Sequence, residues 1–592
     1  MKKNFGSILF ELLILLIITV PAFLVLLNPH YPSMHDDQHV ARLFLLDQGI
    51  KQGNLFPRWV DGLGFGFGYP LYNFYPPFIY YLAEFFHIIG FSFLWSIKLV
   101  IISGFVLSAI GIYYLLKPVI SKLAAFLGAG LYTYTFYHSI NAYVRGALAE
   151  FFAMAITPLL FLSLYRLYIK KNLTSGIFFG LSFAVLILTH PLIALPSIFF
   201  IIFLLIAYSA LSGKKMVSFI KYALIGLLFG LGLSSFFWLP SMVERKYTLT
   251  DEILTKELAN YKDHFIKPSQ LWYSPWGYGG SIKGAGDGMT FQLGKIPIAL
   301  YLFSIANFIL YLFRKKKFDF ISIQYIVYCM LLFFSIWMST SYSSIIWDNI
   351  RYLWYLQFPW RFLTFISLLV SICSAFGIYF FRELIIDQVK KININERLLF
   401  SIFVYVIIGI IVIKYQPYFK PQQLLKTTDG QRTSFEEIAW RISSTSYEFV
   451  PKGVKTKLTD LGTTIMAIEK KDIPVKPFEI ISGVVDIQTV KNLFTEKQFH
   501  ITAMTPAVLQ LNNYYFPGWK AFVSGKEIPI NHKNNFKLSR ISLPQENNLR
   551  VTFIFTDTPV RVLGNWLSII SFMSVVIFCL KTIFRKSHKP EM

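Results

Sequence analysis

Charged residues are scarce in this sequence. Asp, Glu, Lys and Arg make up only 15% of its 592 residues, whereas 55% are hydrophobic and the mean hydropathy is +0.53. A soluble protein of this length needs more charge than that to cover its surface. The composition therefore predicts a membrane protein with many transmembrane helices.

Cysteine is nearly absent. The three cysteines, Cys329, Cys373 and Cys579, all lie inside apolar runs. That placement excludes a disulfide framework and offers no zinc-ligand spacing. We interpret the three as small buried apolar residues.

A pooled basic surface is also missing, although the formal net charge is +24. The lysines and arginines fall in short clusters between apolar runs, as they do in cytoplasmic loops under the positive-inside rule. A nucleic-acid partner is therefore not expected. No inverted repeat typical of transporters is evident in the sequence either.

Long apolar runs predict twelve transmembrane helices, since about 20 apolar residues cross the roughly 30 Å hydrocarbon core. The predicted spans are 8–28, 95–116, 121–138, 146–167, 174–190, 192–212, 217–239, 294–313, 319–339, 360–381, 398–414 and 563–584. The first follows a basic start and lacks a small-residue cleavage signal, so we expect an uncleaved signal anchor.

One apolar stretch, 76–92, is left out of these spans. It is short, opens with Pro76 and Pro77, and carries Glu84 and His87. If it crossed the membrane, the later basic clusters would lie outside, against the positive-inside rule. We expect it to lie along the outer membrane interface, which favours amphipathic aromatic rings.

The resulting topology places both termini in the cytoplasm and the long loops outside the cell membrane. We predict a transmembrane domain at 1–414 with outer loops 29–94 and 240–293, an extracytoplasmic β-rich domain at 415–562, and a last helix with a basic cytoplasmic tail at 563–592. Alternating Leu549, Val551 and Phe553 and a turn at Ser524–Gly525 predict the strands. The fold class is thus a polytopic α-helical membrane protein with a β-rich domain before the last helix.

The stretch HDDQHVAR, residues 35–42, concentrates ionisable groups in the first outer loop. Asp36 and Asp37 are candidate catalytic bases, because a carboxylate partly desolvated beside an apolar interface is a stronger base. The alternative is a helix cap, in which one aspartate bonds the first free amides of a following helix. A divalent metal at Asp36, Asp37 and His39 is a third alternative, although their spacing matches no strong metal template.

Further ionisable residues lie at the outer ends of predicted spans. Arg145 and Glu150 begin the fourth span, His190 ends the fifth and Arg361 begins the tenth. Snorkelling to the interface would explain each residue singly. Few charges lie near the centre of any span, where each would cost at least about 2.5–3.5 kcal/mol. We therefore predict a site at the outer surface that handles an anionic, membrane-bound molecule.

Four segments carry a family resemblance. They are the first outer loop from HDDQHVAR onward, RGALAE at 145–150, QFPWRF at 357–362 and YFPGWKAFVSGKEIPI at 515–530. With these segments the chain resembles prokaryotic membrane glycosyltransferases of the GT-C fold. It resembles more closely the YfhO-like group and the pyruvoyl-tetrahydropterin-synthase-related membrane proteins. The sequence offers no histidine set that would support the pterin part of that name.

The resemblance implies a transferase that uses a polyprenyl-phosphate-linked sugar, with an acidic residue of the first outer loop in catalysis. Asp36 matches that position best and Asp37 next. The residues predicted to bind the donor phosphate are Arg145, Arg361 and Arg58. The residues predicted to bind substrate are His35, His39, Arg42, Glu150, His190, His264, Trp276, Tyr278 and Gln357.

The predicted function is transfer of one sugar from a polyprenyl-phosphate-linked donor to a cell-surface glycan, lipid or protein at the outer face of the bilayer. The alternative is a non-enzymatic transporter of lipid-linked glycans or an envelope assembly scaffold. Polar residues along a path through the membrane, or inverted repeats, would favour that alternative. The sequence identifies no cofactor with certainty and leaves a divalent metal open.

Thiol labelling tests the topology in a variant whose three native cysteines are replaced. Gly288→Cys and His532→Cys should react with a membrane-impermeant reagent in intact cells, because both positions lie in predicted outer segments. Lys316→Cys and Lys391→Cys should react only after permeabilisation. Labelling of Lys316→Cys in intact cells would overturn the twelve-span topology.

Overall fold

The computed structural model describes residues 2–255, 259–284, 286–316, 318–391, 395–459 and 464–587. Its α-helices are α1 (Lys2–Phe23), α2 (His39–Lys51), α3 (Leu71–Phe74), α4 (Phe78–Ile88), α5 (Phe93–Leu116), α6 (Lys122–Thr133), α7 (Phe136–Ser139), α8 (Leu148–Lys170), α9 (Leu173–Thr189), α10 (Pro191–Leu211), α11 (Met216–Leu233), α12 (Ser235–Glu244), α13 (Thr250–Ile253), α14 (Pro268–Trp272), α15 (Lys295–Lys315), α16 (Phe320–Ser339), α17 (Ser344–Asn349), α18 (Leu363–Lys391), α19 (Glu396–Tyr415), α20 (Asp429–Arg432) and α21 (Pro559–Ser587).

The strands are shorter and fall mostly near the C-terminal end of the chain. They are β1 (Tyr31–Pro32), β2 (Leu424–Leu425), β3 (Thr456–Leu458), β4 (Thr464–Met466), β5 (Phe478–Ser482), β6 (Val485–Asn492), β7 (Glu496–Ala503), β8 (Ala507–Tyr514), β9 (Trp519–Val523), β10 (Lys526–Ile528), β11 (Leu538–Leu543) and β12 (Glu546–Phe555). Segments of 3-10 helix include Arg351–Leu356 and Pro359–Phe362, and π-helical turns lie at Ile140–Arg145 and Glu437–Ile442.

Ten helical segments within these described ranges are long and apolar enough to cross a membrane, and each matches one of the predicted spans. The other two predicted spans, 121–138 and 174–190, fall on α6 with 12 residues and α9 with 17. At 1.5 Å per residue, α6 covers only about 18 Å of a core about 30 Å thick. Its apolar run continues into α7, but the helix itself ends at Thr133. The stretch 76–92 forms the 11-residue α4, which is also too short to span.

Contacts divide the chain into two compact units. The first comprises Met1–Asp37, Ile97–Leu231 and Asn260–Lys426, and the second comprises Gln38–Ser96, Gly232–Ala259 and Thr427–Met592. The predicted division kept the outer loops 29–94 and 240–293 within the transmembrane domain. In the structure most of the first loop belongs instead to the second unit, together with the C-terminal segment.

The first unit is a helical bundle around α8 and α18. In the spanning part of each of these helices, 94% of the residues are buried. Helix α18 packs against α6, α15 and α16. Small residues allow the closest contact: a Cβ added at Gly377 would lie 2.6 Å from the Cβ of Ser304 on α15.

Glycine pairs join α9 to α11 within the same unit. Gly176 and Gly180 are four residues apart on α9, and Gly226 and Gly230 have the same spacing on α11. A Cβ at any of the four would collide with the backbone of the facing helix. This small-xxx-small spacing on both helices lets their backbones touch, which is how transmembrane helices commonly associate.

The second unit contains the predicted β-rich domain. One antiparallel sheet has the strand order β10-β9-β12-β7-β6 and another has the order β11-β8-β5. The predicted alternation is confirmed, since Leu549, Val551 and Phe553 on β12 are all buried. The hairpin is confirmed too: β9 pairs with β10, and Ser524 and Gly525 both have positive φ, 47° and 84°, as a tight two-residue hairpin turn requires.

Buried ionic contacts join the first-loop residues of the second unit to its C-terminal segment. Glu244 is 2% exposed and accepts hydrogen bonds from Asn73 Nδ2 (2.8 Å) and Arg561 Nε (3.0 Å). Arg561, in the first turn of α21, also donates to the carbonyl oxygens of Pro517 (2.9 Å) and Thr556 (3.2 Å). These bonds connect α3, α12 and α21 to the β-sheet region.

Arg58 extends the same network. Its Nη2 donates to the carbonyl oxygen of Phe236 (2.8 Å) and to Asn565 Oδ1 (3.0 Å), and its Nη1 donates to Asn73 Oδ1 (3.3 Å). Burial lowers the pKa of Arg58 to about 10, although the Asp557 carboxylate opposes that shift. The guanidinium therefore stays charged at neutral pH and needs these partners.

Glu244→Gln tests how far this network stabilises the second unit. The substitution keeps the side-chain shape but leaves the buried Arg561 without its counter-charge, which typically costs about 3–5 kcal/mol. The midpoint of thermal unfolding of the detergent-purified protein, followed by tryptophan fluorescence, should fall clearly. Glu527→Gln is the matched control, because the Glu527–Lys520 pair is exposed and worth about 0–1 kcal/mol. Equal midpoints in the two variants would contradict the assignment.

Candidate active site

Backbone pairing places the start of HDDQHVAR beside a π-helical turn. Strand β1 pairs with β2, matching Tyr31 with Leu425. Just beyond β1, the amide of His35 donates to the carbonyl oxygen of Val144 (3.0 Å), and the amide of Asp36 donates to that of Arg145 (2.8 Å). Asp36 is therefore held at the end of the turn that presents Arg145.

Gly146 makes this approach possible. It follows the π-helical turn with φ 65° and ψ 23°, in the left-handed region that glycine adopts without strain. A Cβ at this position would lie 2.5 Å from the sulfur of Met34. The glycine of RGALAE thus lets the segment before Asp36 pass directly over the start of α8.

Glu150 lies at the centre of an ionic cluster formed by this segment. It sits in the first turn of α8, is 1% exposed, and accepts hydrogen bonds from Arg145 Nη1 (2.9 Å) and Arg361 Nε (3.2 Å). The Tyr137 hydroxyl donates to its other oxygen. Arg145 also donates to the side-chain oxygen of Asn141. One buried carboxylate thereby orients two guanidinium groups.

Aromatic rings cover the same two arginines. The guanidinium of Arg145 lies 4.6 Å from the ring centre of Trp360, and that of Arg361 lies 5.2 Å from the ring centre of Phe358. Trp360 and Phe358 stack on each other with centres 4.8 Å apart. The rings of His264 and Phe358 are nearly perpendicular, with centres 4.8 Å apart. Such cation–π contacts favour the charged guanidinium in a place poor in water.

The backbone turns sharply at Gln357, beside these rings. Gln357 has φ 62° and ψ −46°, outside the regions that a residue with a side chain readily adopts. Arg361 Nη1 donates to the carbonyl oxygen of Leu356 (2.7 Å) and to Gln357 Oε1 (3.1 Å). Strain of this kind is held in place by surrounding bonds and is concentrated at functional sites.

Asp36 supplies a further negative charge to the cluster. Two guanidinium groups against Glu150 leave a net positive charge, and the charge of Asp36 acts on both arginines. Burial by itself opposes the charged form of Arg145, but Glu150, Tyr137 and Asp36 outweigh it and raise the pKa of Arg145 above its usual value. Within the described part of the chain, no residue donates a hydrogen bond to the Asp36 carboxylate or pairs with it. This half-buried carboxylate is therefore available to a ligand.

Neither aspartate is the N-cap residue of the helix that follows. Helix α2 begins at His39, its N-cap residue is Gln38, and the Gln38 side chain makes no capping hydrogen bond. The metal interpretation receives no further support, because no group of three or more His, Cys, Asp or Glu side chains within the described ranges is placed to hold a metal ion. His39 belongs to the second unit, whereas Asp36 and Asp37 belong to the first.

Several other predicted residues belong to the first unit. His35 Nε2 bonds the carbonyl oxygen of Tyr278 (2.8 Å), and the ring of Tyr278 meets that of Trp276 edge-on, 5.8 Å between centres. His190 caps α10, accepting a hydrogen bond from the amide of Ile193 (3.1 Å).

Three predicted residues, His39, Arg42 and Arg58, are buried in the second unit. His39 Nδ1 bonds the hydroxyl of Tyr80 (3.0 Å). Arg42 Nη2 donates to Ser446 Oγ (2.9 Å), and its guanidinium lies 4.0 Å from the ring centre of Tyr75. Their contacts with protein groups, like those of Arg58 described above, suit a structural role. The predicted substrate- and phosphate-binding roles have no further support at these positions.

Sequence reasoning missed Tyr137 and Asn141. Tyr137 donates a hydrogen bond to Glu150, and Asn141 accepts one from Arg145. Both lie in the apolar segment that precedes RGALAE and carry no charge, so a search for ionisable groups passes over them. The only available signal was spacing: Asn141 and Arg145 are four residues apart, a separation that brings side chains together on a helical turn.

Comparison with known proteins gives one family match. The model of the 6-pyruvoyl-tetrahydropterin synthase related domain, described as a membrane protein, matches residues 72–421. That range is more than half of the chain. It includes Arg145, Glu150 and Arg361, whereas Asp36 precedes it.

The individual proteins that this chain resembles share little sequence identity with it. An uncharacterized protein of Lactococcus lactis subsp. cremoris (strain MG1363) is 24% identical over 254 residues, which cover 41% of each chain. Similar solved structures include the Archaeoglobus fulgidus oligosaccharyltransferase in its apo form, with a TM-score of 0.38. Another is AglB of that organism in complex with an inhibitory peptide and a dolichol-phosphate, with a TM-score of 0.39.

The chain spans well under two thirds of these relatives: 41% of the Lactococcus protein and 56% of each oligosaccharyltransferase chain. Both structural matches are 15% identical over 72% of this chain, and likeness at this level bears on neither activity nor ligands. The match over residues 72–421 confirms the relationship predicted from the motifs: the chain belongs to the family of membrane proteins with a 6-pyruvoyl-tetrahydropterin synthase related domain.

Proposed function

We propose that this chain is a glycosyltransferase that moves a sugar from a polyprenyl-phosphate-linked donor to a cell-surface acceptor at the outer face of the membrane. The observation that supports this best is the pairing of an available carboxylate, Asp36, with two oriented guanidinium groups, Arg145 and Arg361. A sugar–phosphate substrate needs both kinds of group.

Asp36 serves as the general base in this proposal. As the acceptor hydroxyl oxygen attacks the anomeric carbon, its proton passes to the Asp36 carboxylate. The bond between that carbon and the phosphate oxygen breaks, and its electron pair leaves with the phosphate. No general acid is required, because the phosphate departs as a stable anion. Asp37, the next residue, is the second candidate for the same role.

The arginines stabilise the departing phosphate. The donor phosphodiester carries one negative charge, whereas a released phosphate monoester carries about −1.5 to −2 at neutral pH. Two guanidinium groups and Glu150 together carry one positive charge, so their attraction grows as the leaving group gains charge. Interactions that strengthen in this way lower the barrier rather than merely binding substrate.

Glu150 acts as a positioning residue. It accepts hydrogen bonds from Arg145 Nη1 and Arg361 Nε. Among the described residues, no hydrogen bond occupies Nη2 of either arginine. Those groups remain able to donate to a phosphate oxygen. The rings of Trp360 and Phe358 exclude water from one side of the guanidinium groups, which strengthens such bonds.

Replacing Asp36 tests the proposal. Removal of a general base typically slows a reaction about 10²–10⁴-fold, so Asp36→Asn should lower the initial rate of sugar incorporation into the cell envelope by that factor. The measurement is pulse labelling followed by glycan analysis of envelope fractions. Cells lacking the protein should lose a single sugar component.

Asp486→Asn is the matched control, because Asp486 is an exposed aspartate on β6. It should restore incorporation fully in cells that lack the native protein. Full restoration by Asp36→Asn at equal abundance would remove Asp36 from catalysis and favour a transporter or scaffold that needs no base.

Arginine-to-lysine substitutions test the phosphate contacts. Lysine snorkels as well as arginine does, but it offers a point charge in place of a planar fork of donors. A hydrogen bond to a charged group is worth about 1.5–3 kcal/mol, so Arg145→Lys or Arg361→Lys should slow transfer roughly 10- to 100-fold. Rates would be measured as above, with membrane abundance determined by immunoblot.

Arg351→Lys provides the comparison for these variants, since Arg351 is exposed on the 3-10 segment Arg351–Leu356. It should transfer sugar at the normal rate. Normal rates in both Arg145→Lys and Arg361→Lys would exclude a phosphate-binding role for the pair.

A further inference from the structure

A cleft of about 170 Å³ lies within the second unit, outside the cluster described above. Its walls come from the glycine-rich segment at 61–66, the segment 474–477 and the ends of β6, β7 and β8. Pockets for drug-sized ligands occupy about 300–1,000 Å³. The cleft is therefore suited to a small part of a longer ligand, such as one unit of a chain molecule.

Carboxamide side chains supply most of its hydrogen-bonding capacity. Asn492, Asn512 and Asn513 all line the cleft. The Asn512 amide is held by Gln510 and by the carbonyl oxygen of Lys476, so Asn492 and Asn513 are the amides that can bond a ligand. Asn513 is 3% exposed, and its Nδ2 donates to the carbonyl oxygen of Tyr514 (2.9 Å). Within the described ranges no residue donates to Asn513 Oδ1. An acceptor without a partner on a residue that lines a cleft suits a ligand that donates hydrogen bonds, as a hydroxyl group does.

An exposed aromatic ring stands at the same cleft. Phe435 is 56% exposed, and Val475, which also lines the cleft, is 98% exposed. Large apolar side chains this exposed beside convergent polar groups are typical of a binding site rather than of a solvated surface. A flat ring can cover the apolar face of a sugar while the amides bond its hydroxyl groups.

The cleft also carries excess positive charge. Lys497 is buried and paired with Asp61, so these two charges cancel. Lys476 lines the cleft as well, is exposed, and forms no ion pair with any residue that the structure describes. One uncompensated cation beside hydroxyl-binding amides favours a ligand with a negative substituent.

We propose that this cleft binds a short segment of an acidic glycan, with the ring of Phe435 on a sugar face, the amides on its hydroxyl groups and Lys476 on its carboxylate or phosphate. The inference concerns binding only. It does not depend on sugar transfer or on the residues around Glu150.

Titration calorimetry on the full-length protein in nanodiscs tests this site, with tetragalacturonic acid as the acidic probe and galactotetraose as its neutral counterpart. Tetragalacturonic acid should bind saturably, and galactotetraose at least about fivefold more weakly. Phe435→Ala and Lys476→Ala should each raise the Kd for the acidic probe by about fivefold or more. Both side chains are exposed, so neither variant should disturb folding.

Met504→Ala and Lys526→Ala are the matched controls, since both residues are exposed in the same unit and neither lines the cleft. Both should bind tetragalacturonic acid as the unaltered protein does. Absence of saturable binding, or equal affinity in all four variants, would overturn the site. Equal affinity for the two probes would overturn its preference for an acidic glycan. A transfer-deficient Asp36→Asn protein that still binds the probe would show that the two proposals stand separately.

Discussion

The first unit depends on one requirement: the buried Glu150 carboxylate must lie against two guanidinium groups. It bonds Arg145, five residues away, and Arg361, 211 residues away. A buried charge without a partner is costly, and two buried guanidinium groups without a shared anion would repel each other. The π-helical turn, the start of α8 and the 3-10 segment before α18 must therefore meet at one place. Because Asp36 is bonded through its backbone to Arg145, its position follows from the same requirement.

Much of the architecture could be predicted because hydrophobic burial leaves a periodic trace in sequence. Ten spans were recognisable as long apolar runs, and the strands as alternation. The length of α6 could not be predicted, because hydropathy does not show where a helix ends inside a buried apolar run. The grouping of residues 38–96 with the C-terminal segment was not recognisable either. It rests on pairs such as Glu244 and Arg561, which are far apart in sequence and give no local signal.

The candidate site shows the same division between local and long-range information. Clustering of charge in HDDQHVAR pointed to Asp36, but it also pointed to His39 and Arg42. Those two are buried in the second unit, because the chain leaves the first unit after Asp37. Closeness in sequence therefore does not ensure that residues belong to the same compact unit. Conversely, Tyr137 and Asn141 contact the ionic cluster, although their uncharged side chains resemble ordinary polar residues of a helix.

The pairing of β1 with β2 has a consequence for how the protein is made. Tyr31 pairs with Leu425, and the amide of Ser33 donates to the carbonyl oxygen of Gln423 (2.9 Å). During synthesis the ribosome produces Asp36 early, but the strand that secures the segment before it emerges almost 400 residues later. Contacts of such long sequence separation form late. The nascent chain therefore inserts most of its helices before Asp36 acquires its final place, and a chain that stops short of β2 lacks this tether.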